Sequence, residues 1–206
     1  NGGAWTTLTT SAATVDALGR KCTYEDTTLP TNGRVQYRVT VTAGSTSVSS
    51  VSNVTDILPP PTNLTINGSF ENGMTGWTLF GSNGIYRATN TTARTGSYSL
   101  ELDYGSGAWE GLYQPSIQGK PNTNYTLTYY YKHAADDTAN NCYCFIRGGD
   151  GSINAKDIAS AYMNGGKLDE WKKETISFRT DSSGKICIDF RVVAGTHTYI
   201  DDVTLY

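Results

Sequence analysis

Apolar side chains return at every second position along most of this chain, the period of a strand covered on one face. Val35, Tyr37, Val39 and Val41 alternate with Gln36, Arg38, Thr40 and Thr42. A Gly44–Ser45 turn follows, then a Ser-rich strand carrying Val48, Val51 and Val54. Beyond residue 61 the pattern predicts ten short strands, over 63–66, 77–80, 84–88, 98–104, 111–118, 124–133, 141–147, 171–179, 185–193 and 198–205. Turns rich in Gly, Asn and Asp separate them. Residues 155–163 read as a short helix or an insertion. Between the two patterned regions stand Pro59, Pro60 and Pro61, which cannot continue a ladder and favour a stiff linker. The expected organisation is a first domain over 1–56, a Pro-rich linker over 57–61 and a second domain over 62–206.

Many short strands with no sustained helical period predict an all-β fold, with a jelly-roll β-sandwich in the second domain. Period two also divides each strand into faces. In 124–133, Tyr125, Leu127, Tyr129 and Tyr131 form the core set, and Tyr130 and Lys132 point outward. In 185–193, Ile186, Ile188, Phe190 and Val192 face the core, and Cys187, Asp189 and Arg191 face out. In 141–147 the pattern leaves two choices, because Tyr143, Phe145 and Arg147 oppose Cys142, Cys144 and Ile146.

Composition changes the picture mainly by exclusion. Charged residues make up 17% of the 206 residues and the net charge is −3, which argues against a broad nucleic-acid-binding face. No apolar run approaches a membrane span. Four cysteines at 22, 142, 144 and 187 form no C-x-x-C pair and leave the redox compartment open. Cys142 and Cys144 share a strand face and do not pair with each other; either bridges Cys187 if their strands are neighbours, and free thiols are the alternative. No nucleophile elbow, zinc-protease motif or phosphate-cradling loop is present, so no catalytic residue is assigned. A glycosidase would need two carboxylates across a cleft, and Glu110 with Asp189 is the one pair to watch. His133 and His197 read as surface residues near strand ends.

Two motifs bracket the second domain. N-G-S-F-E-N-G-M-T-G-W runs from Asn67 to Trp77, and T-Y-I-D-D-V-T-L from Thr198 to Leu205. Glu71 and Asp201 meet only if the two ends of the domain lie side by side, and two carboxylates beside turn carbonyls suit Ca²⁺. Three further motifs lie between them: T-G-S-Y-S-L-E-L from Thr95, N-Y-T-L-T-Y-Y-Y-K from Asn124 and W-K-K-E-T-I-S-F from Trp171. In this order and spacing they resemble the jelly-roll carbohydrate-binding modules attached to bacterial xylanases and glucanases. The resemblance implies a non-catalytic domain that holds a larger extracellular protein on polysaccharide or surface glycan. It implies one structural Ca²⁺, with carboxylates from Glu71 and Asp201, backbone oxygens from Ser69 and Tyr98, and an oxygen from Thr95. Some relatives carry an acidic residue at the position of Thr95, so the ligand charge here is lower. It places Trp109 in the sugar groove and Trp77 and Trp171 in the core.

Sugar recognition needs flat apolar faces for pyranose C–H groups and planar partners for hydroxyls. Trp109, in S-G-A-W-E-G, is the leading candidate, with Glu110, Tyr113, Tyr130, Tyr143 and Arg191 beside it. In the first domain, Leu29-Pro30 ahead of Tyr37, the ending S-V-S-S-V-S-N-V and the opening N-G-G-A-W-T-T-L resemble the C-terminal part of a fibronectin type III domain. That resemblance implies three further strands upstream or a partner subunit that completes the sandwich. The alternative to an enzyme-associated module is an adhesion or decoration module on a phage tail, a capsid or a surface appendage, or a purely structural lattice domain.

Overall fold

The computed structural model describes residues 6, 14–15, 22–23, 33–43, 45–57, 61–107, 109–139, 141–164 and 170–206. No helix occurs among them, and every strand pairing is antiparallel. The chain divides into two compact units, Asn1–Pro61 and Thr62–Tyr206.

The first unit contains β1 (Thr14–Val15) with β2 (Cys22–Thr23), β3 (Gly33–Val35) with β6 (Thr55–Ile57), and β4 (Arg38–Ala43) with β5 (Thr46–Val51). The single strand expected from Val35 to Val41 is thus broken after Val35. Ser52 holds the break: its hydroxyl accepts from the Tyr37 amide at 3.0 Å, and its carbonyl accepts from the Gln36 side chain at 2.9 Å. Val39, Val48 and Val51 are exposed, so the apolar face read from the alternation is uncovered here. Leu29, Pro30 and almost all of the opening N-G-G-A-W-T-T-L lie outside the described residues.

The second unit contains β7 (Thr78–Phe80), β8 (Ile85–Thr89), β9 (Ser99–Tyr104), β10 (Glu110–Gln118), β11 (Asn124–His133), β12 (Cys142–Arg147), β13 (Asp157–Met163), β14 (Lys172–Arg179), β15 (Lys185–Val192) and β16 (Thr196–Leu205). They form two five-stranded sheets, ordered β13-β12-β15-β10-β7 and β14-β11-β16-β9-β8. The inward sets meet between them. Leu127, Tyr129 and Tyr131 of β11 and Ile186, Ile188, Phe190 and Val192 of β15 are fully buried, as their alternation requires. Cys142, Cys144 and Ile146 take the core face of β12, which resolves that strand. Cys187 faces the other side of the same sheet and pairs in register with Arg147. Of the two alternatives the free thiols hold, and Cys142, Cys144 and Cys187 are all free and buried.

Four further expectations are corrected. Residues 157–163 form edge strand β13, not a helix; its alternation is masked by the small residues Ala159, Ser160 and Ala161. Segment 63–66 adds no strand, yet it runs beside β16: the Leu64 amide donates to the Leu205 carbonyl and the Leu205 amide to Asn63 Oδ1, both at 2.9 Å. His133 is fully enclosed, with Nδ1 2.7 Å from Asp137 and Nε2 3.1 Å from the Met163 carbonyl. Trp77 is buried against Phe70 and Phe190 as expected, but Trp171 is only half-buried.

Asp181 ties the turn before β15 to the turn after β12. Its carboxylate accepts from the Ser183 hydroxyl and amide and from the Gly149 amide at 2.6 Å. These bonds, led by Ser183, hold it at about 2 instead of 3.8. A carboxyl depressed on folding contributes stability that is full above its unfolded value and is lost as pH falls through its folded value. Asp181→Asn is therefore expected to lower the Tm at pH 7, by an amount that shrinks below pH 3.8 and is gone by about 2. Thermal melts across that range check this.

Candidate functional site

The outer face of the sheet β13-β12-β15-β10-β7 carries most of the candidate residues. Directly paired residues share a face, so register alone defines its rows. One row runs Phe80, Gly111, Arg191, Tyr143, Tyr162 across the five strands. The next runs Thr78, Tyr113, Asp189, Phe145, Ser160. A third contains Cys187, Arg147 and Asp157.

Aromatic rings cover this face. Tyr143 stacks on Tyr162 with centroids 4.5 Å apart and on Phe145 at 5.8 Å. Trp109, from the loop before β10, meets Tyr143 edge-on at 5.0 Å and Phe145 at 6.5 Å. Trp109 is 39% exposed and Tyr162 41% exposed. Large aromatic surface that stays in water beside a packed aromatic floor is the feature a sugar-stacking platform needs.

A buried charge network fixes the floor. Asp189 is 0% exposed, and its Oδ2 accepts from Arg147 Nε at 3.0 Å, Arg147 Nη2 at 2.8 Å and Arg191 Nε at 2.8 Å. Asp189 Oδ1 is buried with no hydrogen-bond partner among the described residues. Burial pushes the Asp189 carboxyl up, against the pull of the two arginines. Arg147 also donates to Asp157 at 2.6 Å and to the Ala155 carbonyl, which anchors β13. The guanidiniums lie against the rings: Arg191 is 4.6 Å from the Phe80 centroid and 5.8 Å from that of Phe145, and Arg147 is 5.2 Å from Phe145.

The structure thus brings Trp109, Tyr113, Tyr143 and Arg191 to one face. Two candidates fall elsewhere. Glu110 is buried and holds the 81–83 turn, accepting from the Asn83 amide at 2.9 Å, the Asn83 side chain at 2.6 Å and the Tyr86 hydroxyl at 2.9 Å. Burial pushes its carboxyl up, but these bonds outweigh it and hold it below the ordinary value. Glu110 and Asp189 are both buried and hydrogen-bonded to structural partners, Asp189 through Oδ2 alone. Tyr130 lies on the other sheet, where β11 pairs with β14 and β16, and the Arg94 guanidinium sits 3.4 Å from its ring centre. The residues missed from the sequence are Phe80, Phe145, Arg147 and Tyr162. Arg147 and Phe145 had a signal, the unassigned face of 141–147; Phe80 and Tyr162 become visible only through the pairing of their edge strands.

The two end motifs meet at the loop 94–98. Glu71 Oε1 accepts from the Ser97 and Tyr98 amides at 2.9 and 2.8 Å. Asp201 Oδ2 accepts from the Arg94 and Thr95 amides at 2.8 and 3.3 Å, and its Oδ1 from the Asp202 amide at 2.7 Å. The Thr95 hydroxyl donates to Asp202 at 2.6 Å. Burial pushes the Asp201 carboxyl up to about 6, against those amide bonds. A Cβ at Gly96, whose φ is +64°, would stand 2.4 Å from Glu71 Oε1, so this position requires glycine. Among the described residues no group of three or more His, Cys, Asp and Glu side chains converges. Carboxylates are the donor type a hard cation takes, and here both already serve as amide acceptors.

Many solved structures are similar in fold, carbohydrate-binding modules and a phage tailspike domain among them. A "Family 16 Carbohydrate Binding Module-2" is 24% identical, with 70% of this chain and 99% of that chain covered and a TM-score of 0.54. The CBM22-1 xylan-binding domain from Paenibacillus barcinonensis Xyn10C is 20% identical over 70% and 93%, also at 0.54. The enzymatically active domain of tailspike protein 4 from Bacteriophage CBA120 is 18% identical over 69% of this chain and 21% of that one, at 0.55. No curated protein matches. The family model described as a carbohydrate binding domain matches residues 62–196, well over half of the chain, and the chain belongs to that family.

Proposed function

We propose that the second unit is a non-catalytic module that holds polysaccharide on the outer face of the sheet β13-β12-β15-β10-β7. The observation that carries this reading is the aromatic platform of Trp109, Tyr143 and Tyr162, beside the network of Arg147, Arg191 and Asp189 whose guanidiniums lie near the Phe145 ring. Exposed rings supply stacking surface, and a preorganised floor reduces the cost of ordering side chains on binding. Tyr113, in the second row, supplies a hydroxyl at the same face. Family membership and the fold of the similar modules support the same reading. A glycan array and affinity electrophoresis in soluble polysaccharides test it. Retained binding to at least one polysaccharide is expected; a folded chain that binds none contradicts it.

The module belongs in this reading to a larger extracellular protein, with the first unit as a fibronectin-like spacer completed by further strands or by a partner. A phage or surface-appendage adhesin remains the second setting, and the tailspike domain shows the fold alone.

The end motifs support a structural Ca²⁺ at the loop 94–98, held by Glu71 and Asp201 with oxygens of Ser69, Thr95 and Tyr98. The support is that both carboxylates, from opposite ends of the domain, grip one short loop. A cation bound only by the folded state raises its stability by mass action. Chelation is expected to lower the Tm, and Glu71→Ala to abolish that sensitivity. A Tm that ignores both chelator and added Ca²⁺ overturns the metal and leaves the amide bonds as the whole clamp.

A further inference from the structure

The structure assigns Arg191 as a reader of sugar carboxylates, so that the preferred ligand is a polysaccharide bearing acidic sugars; this rests on the proposed sugar-binding face. Three observations carry it. First, the guanidinium is held in place: Nε donates to buried Asp189 at 2.8 Å, and the plane packs near the Phe80 and Phe145 rings. Second, its two Nη atoms have no partner among the described residues and are not among the buried polar atoms left unsatisfied. With 19% of the side chain exposed, that outer edge meets solvent. Third, charge is unevenly shared. Arg147 and Arg191 both use the same oxygen of Asp189, but Arg147 has Asp157 as well.

A fixed, planar pair of N–H donors on an aromatic floor matches the two oxygens of a carboxylate. The flanking aromatic rings would stack on the sugar that carries it. Gly111, between Phe80 and Arg191 in the row, presents no side chain in the path of the guanidinium. The net charge of −3 does not oppose this, because screening confines each charge to about 8 Å at physiological salt.

The test compares a uronate-bearing polysaccharide, such as a glucuronoxylan, with the same polymer after chemical reduction of its carboxylates to alcohols. The expected result is a loss of affinity of about tenfold or more on reduction. That preference should weaken as NaCl is raised. Arg191→Lys keeps a cation for Asp189 and preserves the fold, and it is expected to lose most of the preference because the planar fork is gone. Arg191→Met is expected to lose all of it. A sialylated glycan in the same assay separates uronates from other sugar carboxylates. Equal binding of acid and reduced polymers, or a preference that survives in both Arg191 variants, overturns the inference while leaving the sugar-binding face intact. Binding of no polymer by the folded protein overturns both.

Discussion

Trp109→Ala is expected to weaken polysaccharide binding by a factor of about 30 or more, with a Tm close to that of the parent. An aromatic anchor at the centre of a binding face contributes about 2 kcal/mol or more on truncation, and each 1.4 kcal/mol is about tenfold in affinity. The stability cost is small because Trp109 is already 39% exposed and touches the domain mainly through the edges of Tyr143 and Phe145. Affinity electrophoresis with parallel thermal melts separates the two effects. Unchanged retention would move the binding site off this face.

Arg147→Met is expected to have the largest effect on stability, a loss of about 3 kcal/mol. Arg147 supplies two of the three hydrogen bonds to Asp189 Oδ2, and Asp189 Oδ1 already lacks a partner. With Arg147 gone, a fully buried carboxylate keeps one donor. Breaking a buried pair from one side leaves an uncompensated charge, whereas replacing both partners with apolar groups is often neutral. The double variant Arg147→Met with Asp189→Leu should therefore recover part of the loss. Urea unfolding of the parent, the two single variants and the double variant gives the coupling directly. A single-variant loss below about 1 kcal/mol would show that the network is solvated and does not brace the platform.

Strand alternation made the core legible before any coordinates. In β11 and β15 it assigned Leu127, Tyr129, Ile188 and Phe190 correctly to the core, while Cys187 and Asp189, on the opposite face of β15, are buried as well. Period two assigns a residue to a face, but it does not say which sheet the strand joins. That is why Tyr130 was grouped with Trp109 although β11 lies in the other sheet. It also cannot show what an acceptor is already bonded to. Glu110 follows Trp109 in sequence, yet its oxygens belong to Asn83 and Tyr86. The charge network was invisible for the same reason: Arg147, Asp157 and Asp189 come from three strands and meet only through pairing. The end motifs did report their own geometry, since Glu71 and Asp201 grip one loop, while the pairing of Asp202 with Arg94 and Thr95 had no sequence signal.

The proposed sugar-binding face is tested most directly by an amide and indole NMR titration with an oligosaccharide of whichever polysaccharide is retained. Saturable shifts are expected at the Trp109 indole N–H and at amides of β10, β12 and β15 around Tyr113, Tyr143 and Arg191. Shifts confined to the opposite sheet, around Tyr130 and Arg94, would contradict it.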